Sequence, residues 1–241
     1  MGTNGIVIAS ASDSATTSRL ISLLSAELKT ESFDADGKFV IRWGSTYRIK
    51  NAKSCLNTAV AVRRTKHKLD MLDMLREAGV IVPSVIDKPP CVARWNGGSR
   101  GEGIRFCKKK KDMEQAEEDG AGSFLEWIDV KREFRVHIFK GLLISLCEKK
   151  KKFGGNKLIR NVSHGWEFCN DAKLNAVDAV DLLSSSLSAV MALKLDFGAV
   201  DIAMSKQNIP VVFEVNTAPG LNDRRANLYA LSIKKWINSF A

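Results

Sequence analysis

The residues with the most evident chemistry lie near the C-terminal end: Asp201 in the run 199–204, and Glu214 with Asn216 in the run 211–220. Two apolar runs flank the polar stretch Ser205 to Pro210, which predicts an antiparallel hairpin centred near Gln207. Symmetric pairing about that centre sets Asp201 opposite Glu214, and strand alternation puts Glu214 and Asn216 on one face. Directly opposed residues hold their Cβ atoms roughly 5 Å apart, so two carboxylates and an amide converge on one patch of otherwise apolar strands. Unpaired, such carboxylates repel each other and resist burial. A hard divalent cation relieves both costs, and an oxygen-only donor set selects magnesium or manganese over zinc. A half-exposed hairpin that keeps its acids in water fits the same residues, and the hairpin alone does not choose between the two.

A second group of residues is suited to an anion. A strand over 90–95, ending near Arg94, is followed by the loop Asn96 to Gly103, which holds Gly97, Gly98, Ser99, Gly101 and Gly103, and by a strand over 104–107. Glycine lets backbone N–H groups approach phosphate oxygens without a side chain in the way. A plain hairpin turn explains the loop equally well. It is neither a Walker loop, which needs G-K-[ST], nor a dinucleotide fingerprint, which needs a helix where this chain has a strand. Leu69, Leu72, Leu75 and Ala78 predict a helix over 65–79 that Gly79 can close. Lys66 and Lys68 fall in its first turn, where cations oppose the helix dipole unless an anion is near. Exposed lysines are the plainer alternative.

The elements that must position these groups follow from periodicity. A strand over 5–9, an amphipathic helix over 17–28 and a strand over 39–44 make a small α/β unit of about sixty residues, a size that seldom stands alone. An acidic helix over 112–119 ends at Gly120, and strands follow over 123–128, 132–139 and 142–147. In the second of these Phe134, Val136 and Ile138 alternate with Glu133, Arg135 and His137. Asp171 is the expected cap of a long helix to about Lys194, with Leu174, Val177, Val180, Leu187, Val190 and Met191 on its buried face. A closing helix spans 227–239.

Composition sets the bounds. With 241 residues, 45% hydrophobic and 27% charged, the chain can bury a substantial core as one unit or as two to three lobes. No apolar run reaches the length of a membrane span, and the N-terminus lacks a basic leader region. The five cysteines are scattered and never spaced C-x-x-C, which predicts reduced thiols and a cytoplasmic setting. The net charge is +10, concentrated between Lys131 and Arg160. Such a block suits a polyanionic partner, whether nucleotide phosphates, an acidic protein or nucleic acid. No nucleic-acid module accompanies it, and the runs 108–111 and 149–152 read as solvated basic faces.

Taken in order, these features form a series: a basic helix start, a strand with Arg94 and a glycine loop, an acidic hinge strand, a basic strand, a long helix, and Asp201 with Glu214-x-Asn216. The series resembles the ATP-grasp superfamily, and within it the carboxylate–amine ligase branch that includes ribosomal-protein glutamate ligases. The resemblance covers about Arg42 to Leu221. It is strongest at Asp201 with 213–221, and next at Lys68, placed fifteen residues before Pro83 as in those ligases. It implies an α/β (α+β) ATP-grasp fold in which two α+β lobes, 65–128 and 129–241, clasp ATP behind a reduced pre-grasp domain, 1–64.

Carried over by position, Lys68 and Arg94 would contact ATP phosphates. The family usually has lysine at the second position, where arginine is larger and a less compact charge. The loop Asn96 to Gly103 would close over the triphosphate. Glu126, Trp127 and Ile128 resemble the hinge whose backbone meets the adenine edge, and Glu133 matches the acid that binds the ribose. Arg160-Asn161 resembles an R-x-N stretch near the γ-phosphate, with the intervening residue missing here. Asp201, Glu214 and Asn216 match the ligands of a magnesium pair, with manganese as a substitute.

The implied reaction is phosphorylation of a carboxylate by ATP and attack of an amine on the acyl phosphate. Such chemistry asks mainly for positioning and charge neutralisation, and it needs no protein nucleophile. His67, His137 and His164 therefore read as surface or core residues, and Cys91 and Cys147 as core. The implied partners are a carboxylate substrate and an amine acceptor, such as an acidic peptide or carrier protein. Two other readings stay open: a kinase of this fold acting on a polyanionic small molecule, and a nucleotide-binding regulator without turnover.

Overall fold

The computed structural model of the chain describes residues 5–95, 103–156, 160 and 162–240. It begins with β1 (Ile6–Ser10), α1 (Ala15–Leu24) and β2 (Glu27–Lys29). The sequence predicts a helix to residue 28. α1 instead starts at a capping box between Ser14 and Thr17 and ends at Leu24, because Ser25 turns left-handed at φ 50°. The residues beyond it pair with β1. Next come β3 (Phe33–Asp34), β4 (Phe39–Trp43), β5 (Ile49–Lys50) and β6 (Ser54–Leu56). The main N-terminal sheet is parallel, in the order β2-β1-β4-β6, and β3 pairs with β5 beside it.

The helix that the sequence predicts over 65–79 is present as α3 (Lys68–Glu77), preceded by a short helix, α2 (Ala59–Arg64), that the pattern does not announce. Thr58 caps α2 by accepting from Ala61 N at 3.1 Å, and the extended backbone of His67 opens α3. Gly79, at φ 78°, closes α3 as its type predicts. β7 (Cys91–Arg94), β8 (Ile104–Cys107), α4 (Lys110–Glu118) and β9 (Ser123–Glu126) build a small antiparallel sheet in the order β8-β7-β9. Cys91, Ala93 and Cys107 bury against Met113 and Ala116 of α4.

The remaining elements are β10 (Val130–Phe139), β11 (Leu142–Lys151), β12 (Trp166–Cys169), α5 (Ala176–Ala192), β13 (Phe197–Ser205), β14 (Pro210–Asn216) and α6 (Asp223–Asn238). The strands form a five-stranded antiparallel sheet in the order β12-β11-β10-β13-β14. Asn175, not Asp171, caps α5, its Oδ1 accepting from Asp178 N at 2.8 Å. The buried face of α5 is Leu182, Ser186, Ala189 and Val190, whereas Val177, Val180 and Met191 are 68%, 64% and 71% exposed. Apolar residues lie on two faces of this helix, and periodicity does not say which one a sheet will take.

Period-two alternation gives the large sheet two different faces. Phe134, Val136, Ile138, Val200, Ile202, Val212 and Val215 pack against Leu72 and Leu75 of α3 and against Leu182 and Val190 of α5. The opposite face carries Glu133, Arg135, His137 and Phe139 along β10. Its far end is sealed by the N-terminal sheet and α6: Trp43 stacks on Phe197 at 5.3 Å, and Tyr229 meets Trp43 edge-on at 5.3 Å. Asn57 ties the two sheets together at this seam. Its side chain accepts from Asp196 N at 2.7 Å and Phe197 N at 3.2 Å and donates to Phe197 O at 3.1 Å. The near end of this face stays open, and that opening is the cleft.

The five cysteines are free thiols, Cys91, Cys107 and Cys147 being buried. Among the described residues no helix is long and apolar enough to cross a membrane.

Candidate functional site

A cleft of about 1340 Å³ lies between the open end of the large sheet, the small β7–β9 sheet and the turn between β1 and α1. Strand register sets its floor. Asp201 pairs with Glu214 on one side and with Arg135 on the other, and Arg135 faces Cys147. One register step along, Glu133 faces Lys149, and Lys149 faces Phe168. The expected hairpin is therefore present, with Asp201 opposite Glu214. A bulge follows: Ile202 pairs with Val212, so Phe213 is skipped, and its carbonyl accepts a hydrogen bond from Lys68 Nζ.

Each ionisable group on this floor has an identifiable partner. Arg135 grips Asp201 bidentately, Nε to Oδ1 at 2.6 Å and a terminal nitrogen to Oδ2 at 2.7 Å. Lys149 Nζ lies 2.5 Å from Glu133 Oε1 and 3.4 Å from Asp201 Oδ2. Burial pushes the Asp201 carboxyl up, but Arg135 and Lys149 outweigh it and hold the acid well below the usual carboxylate range. Burial dominates at Glu133 and raises its pKa despite Lys149. Burial pulls Lys149 down, yet Asp201 and Glu133 more than restore it, so the ammonium is firmly charged.

Lys68 Nζ is 3.6 Å from Glu214 Oε2. Burial lowers the pKa of both Lys68 and Arg94, with Glu214 pulling each back. Arg160 sits 4.0 Å from Glu133 Oε2, donates to Val130 O at 3.2 Å and lies 5.0 Å over the Trp166 ring. Six cations (Lys68, Arg94, Arg105, Arg135, Lys149, Arg160) thus share the cleft with four carboxylates (Glu126, Glu133, Asp201, Glu214). The surplus positive charge suits a polyphosphate.

The opposite end of the cleft suits a planar ring. Val92, Ile104, Leu125, Ile128 and Val130 line it, and Trp127 packs on Phe106 at 4.4 Å. Glu126 lines it too, but its backbone N–H is already donated to Ser84 O at 2.8 Å, and its carboxylate accepts from Ser84 N at 3.3 Å. The Glu126 N–H is therefore not available to the polar edge of a ring. Gly103 closes the β7–β8 hairpin, its carbonyl accepting from Trp95 N at 3.0 Å. Gly97, Gly98, Ser99, Gly101 and Asn161 lie outside the described residues. Ser10, Ser12, Ser14, Thr16 and Trp43 form the N-terminal wall.

The donor set can be tested for a hard cation. Among the described residues no three His, Cys, Asp or Glu cluster as a metal site. Asn216 Nδ2 donates to Glu214 Oε1 at 2.7 Å, which leaves the amide oxygen as an acceptor. An ionised carboxylate has about four acceptor positions, and on Asp201 Arg135 and Lys149 occupy three. Glu214, Asn216 Oδ1 and the remaining position on Asp201 fit one hard divalent ion. A second ion at Asp201 would need Arg135 or Lys149 to let go.

Arg135 and Lys149 are the site residues that sequence reasoning missed. Lys149 sits in a run read as solvated, yet 8% of its side chain is exposed. The available signal was register: Lys149 opposes Glu133, and Arg135 alternates with the core residues Phe134 and Val136.

The chain is similar to a probable alpha-L-glutamate ligase of Vibrio atlanticus, 25% identical over a match of 187 residues that covers 69% of this chain and 60% of that protein. The chain thus spans about three fifths of the length of the curated relative it matches. No protein-family model matches it. Among solved structures, the D-alanine–D-alanine ligase of Bacillus anthracis complexed with ATP superposes with a TM-score of 0.67 at 15% identity, covering 99% of this chain and 98% of that one. The ATP-grasp ligase PsnB, solved with a minimal precursor, gives 0.66 at 12%, covering 96% and 99%. These matches run through nearly the whole of both chains, and this chain has the ATP-grasp fold.

Proposed function

We propose that the chain is an ATP-dependent carboxylate–amine ligase that forms an amide bond and releases ADP and phosphate. The observation that carries this reading is the row of charges across the sheet, with a cation surplus at one end of a cleft and an apolar ring slot at the other. A nucleoside triphosphate has that polarity along its length. The adenine would lie between Trp127, Ile128 and Val92, with Glu133 beside the ribose. Lys68, Arg94 and Arg160 would meet the phosphates, in a cleft whose walls limit the access of water, to which acyl phosphates are sensitive.

A carboxylate oxygen attacks the γ-phosphorus, the bond to the β-phosphate oxygen breaks, and ADP leaves. The amine then attacks the acyl carbon, phosphate departs with the C–O electron pair, and the amine nitrogen loses its proton to solvent. Arg135 and Lys149, fixed by Asp201 and Glu133, neutralise charge on the transferring group. A magnesium ion held by Glu214, Asn216 and Asp201 would polarise and orient the phosphate oxygens. Lobes 65–128 and 129–241 would close on the nucleotide, with 1–64 as the substrate-side wall. The relative named as a glutamate ligase, PsnB with its peptide precursor, and the basic surface together support an acidic peptide as acceptor.

The test is ADP release across a panel of carboxylates and amines. Release that requires both partners supports the ligase. Transfer of phosphate to an acceptor with no amine requirement would replace it with a kinase. Glu214→Ala should abolish magnesium-dependent release without unfolding the protein, since 39% of that side chain is exposed in the cleft. Full activity in this variant would remove Glu214 from the metal site.

A further inference from the structure

Phe168 stands at the meeting point of three cations. The Arg135 guanidinium lies 4.6 Å from its ring centroid, the Lys149 ammonium 5.7 Å and the Arg225 guanidinium 5.9 Å. The ring sits on β12, the edge strand of the large sheet, and forms part of the cleft wall. Arg135 and Lys149 reach it from the cleft floor, while Arg225 comes from α6. Arg225 is 6% exposed and donates to Cys147 Sγ at 3.1 Å and Asn170 Oδ1 at 3.0 Å, both neutral acceptors. Its Nε has no hydrogen-bond partner among the described residues. A buried guanidinium placed this way needs electron density from elsewhere, and the face of Phe168 supplies it.

The arrangement has a consequence for the cleft. A guanidinium carries five N–H donors, and the salt bridge to Asp201 uses two of those on Arg135. An additional carboxylate would fix the side chain but would occupy further donors and cancel the surplus charge. A ring face attracts the cation without taking any N–H group. We propose that Phe168 is a positioning residue: its ring holds Arg135 and Lys149 in place while leaving their free donors turned to the cleft for an anionic phosphoryl group. This rests on the ligase reading for the identity of the anion. The hold on the cations rests on the ring geometry alone.

The experiment compares Phe168→Leu, which stays apolar but loses the π-face, with Phe168→Tyr, which keeps it. ATP affinity is measured by calorimetry with magnesium present, after thermal midpoints establish that both variants are folded. Phe168→Leu should weaken ATP binding roughly fivefold, and Phe168→Tyr should stay within about twofold of the parent. A nucleotide-free readout accompanies it. The Nε–H resonances of Arg135 and Arg225 in nitrogen–proton spectra should carry a ring-current shift in the parent and the Tyr variant and lose it in the Leu variant. Unchanged resonances in Phe168→Leu, or equal losses of affinity in both variants, would overturn the proposal. A parent protein that shows the ring-current shift but binds no ATP would refute the ligase reading while upholding the placement of the ring against the cations.

Discussion

Asn57 is the residue on which the junction between the N-terminal sheet and the large sheet most directly depends. It is fully buried, and it takes a left-handed backbone at φ 60°. Its backbone N–H donates to Asp196 Oδ2 at 2.6 Å, a bond that side-chain substitution keeps. Replacement by alanine removes the three side-chain bonds to Asp196 N, Phe197 N and Phe197 O. At about 1 kcal/mol per bond, with more for each buried group left unpaired, the loss comes to about 3–5 kcal/mol. A left-handed residue with a Cβ and no local side-chain bond adds about 1 kcal/mol of strain. Asn57→Gly loses the same bonds without the strain, so it should be more stable than Asn57→Ala by about 1 kcal/mol. Urea unfolding followed by tryptophan fluorescence reads this directly, because Trp43 and Trp236 are buried in the shared core. A loss in Asn57→Ala below about 1 kcal/mol, or identical stabilities for Ala and Gly, would refute the reasoning.

Two further outcomes are expected. Lys68→Met leaves the Phe213 carbonyl and Glu214 without their cation and should weaken ATP binding by about 10- to 100-fold, as loss of a charged hydrogen bond implies, measured by calorimetry; unchanged affinity would remove Lys68 from the phosphate site. Burial, with Arg135 and Arg225 nearby, pushes the His137 pKa down to about 3 from 6.5. The unfolded chain then binds a proton that the folded chain refuses, so stability falls as pH drops from 6.5 toward 3, by about 1.4 kcal/mol per unit. Urea midpoints at two pH values in that window, compared with His137→Gln, isolate the effect. An equal pH slope in the variant would assign it to other groups.

Residues 199–216 show how far a sequence can go. An apolar period of two and a short polar turn fix both strands and their register, so Asp201 opposite Glu214 could be read without a structure. The bulge that skips Phe213 and turns its carbonyl to Lys68 has no such signature, because it answers to a helix 145 residues away. The same distinction separates Val190 from Val177 on α5. Both obey helical periodicity, and only the docked sheet decides that the first is buried and the second exposed. Glu133 and Arg135 alternate with core residues just as solvent-facing side chains do, and Lys149 lies among charged neighbours as a solvated lysine would. They become the floor of a cleft because the small sheet and the β1–α1 turn close over them.

The sequence by itself determined the main strands and the long helices, how the last hairpin pairs, and that acids, cations and glycines fall in an order suited to phosphates. Those properties depend on neighbours a few residues apart. Tertiary structure decided which face of each element meets protein and which meets the cleft, and so which charges pair: Arg135 with Asp201 across 66 residues, and Asn57 with Asp196 and Phe197 across 139 and 140. Burial and pairing of that kind are set by contacts between distant segments, and local pattern carries no record of them.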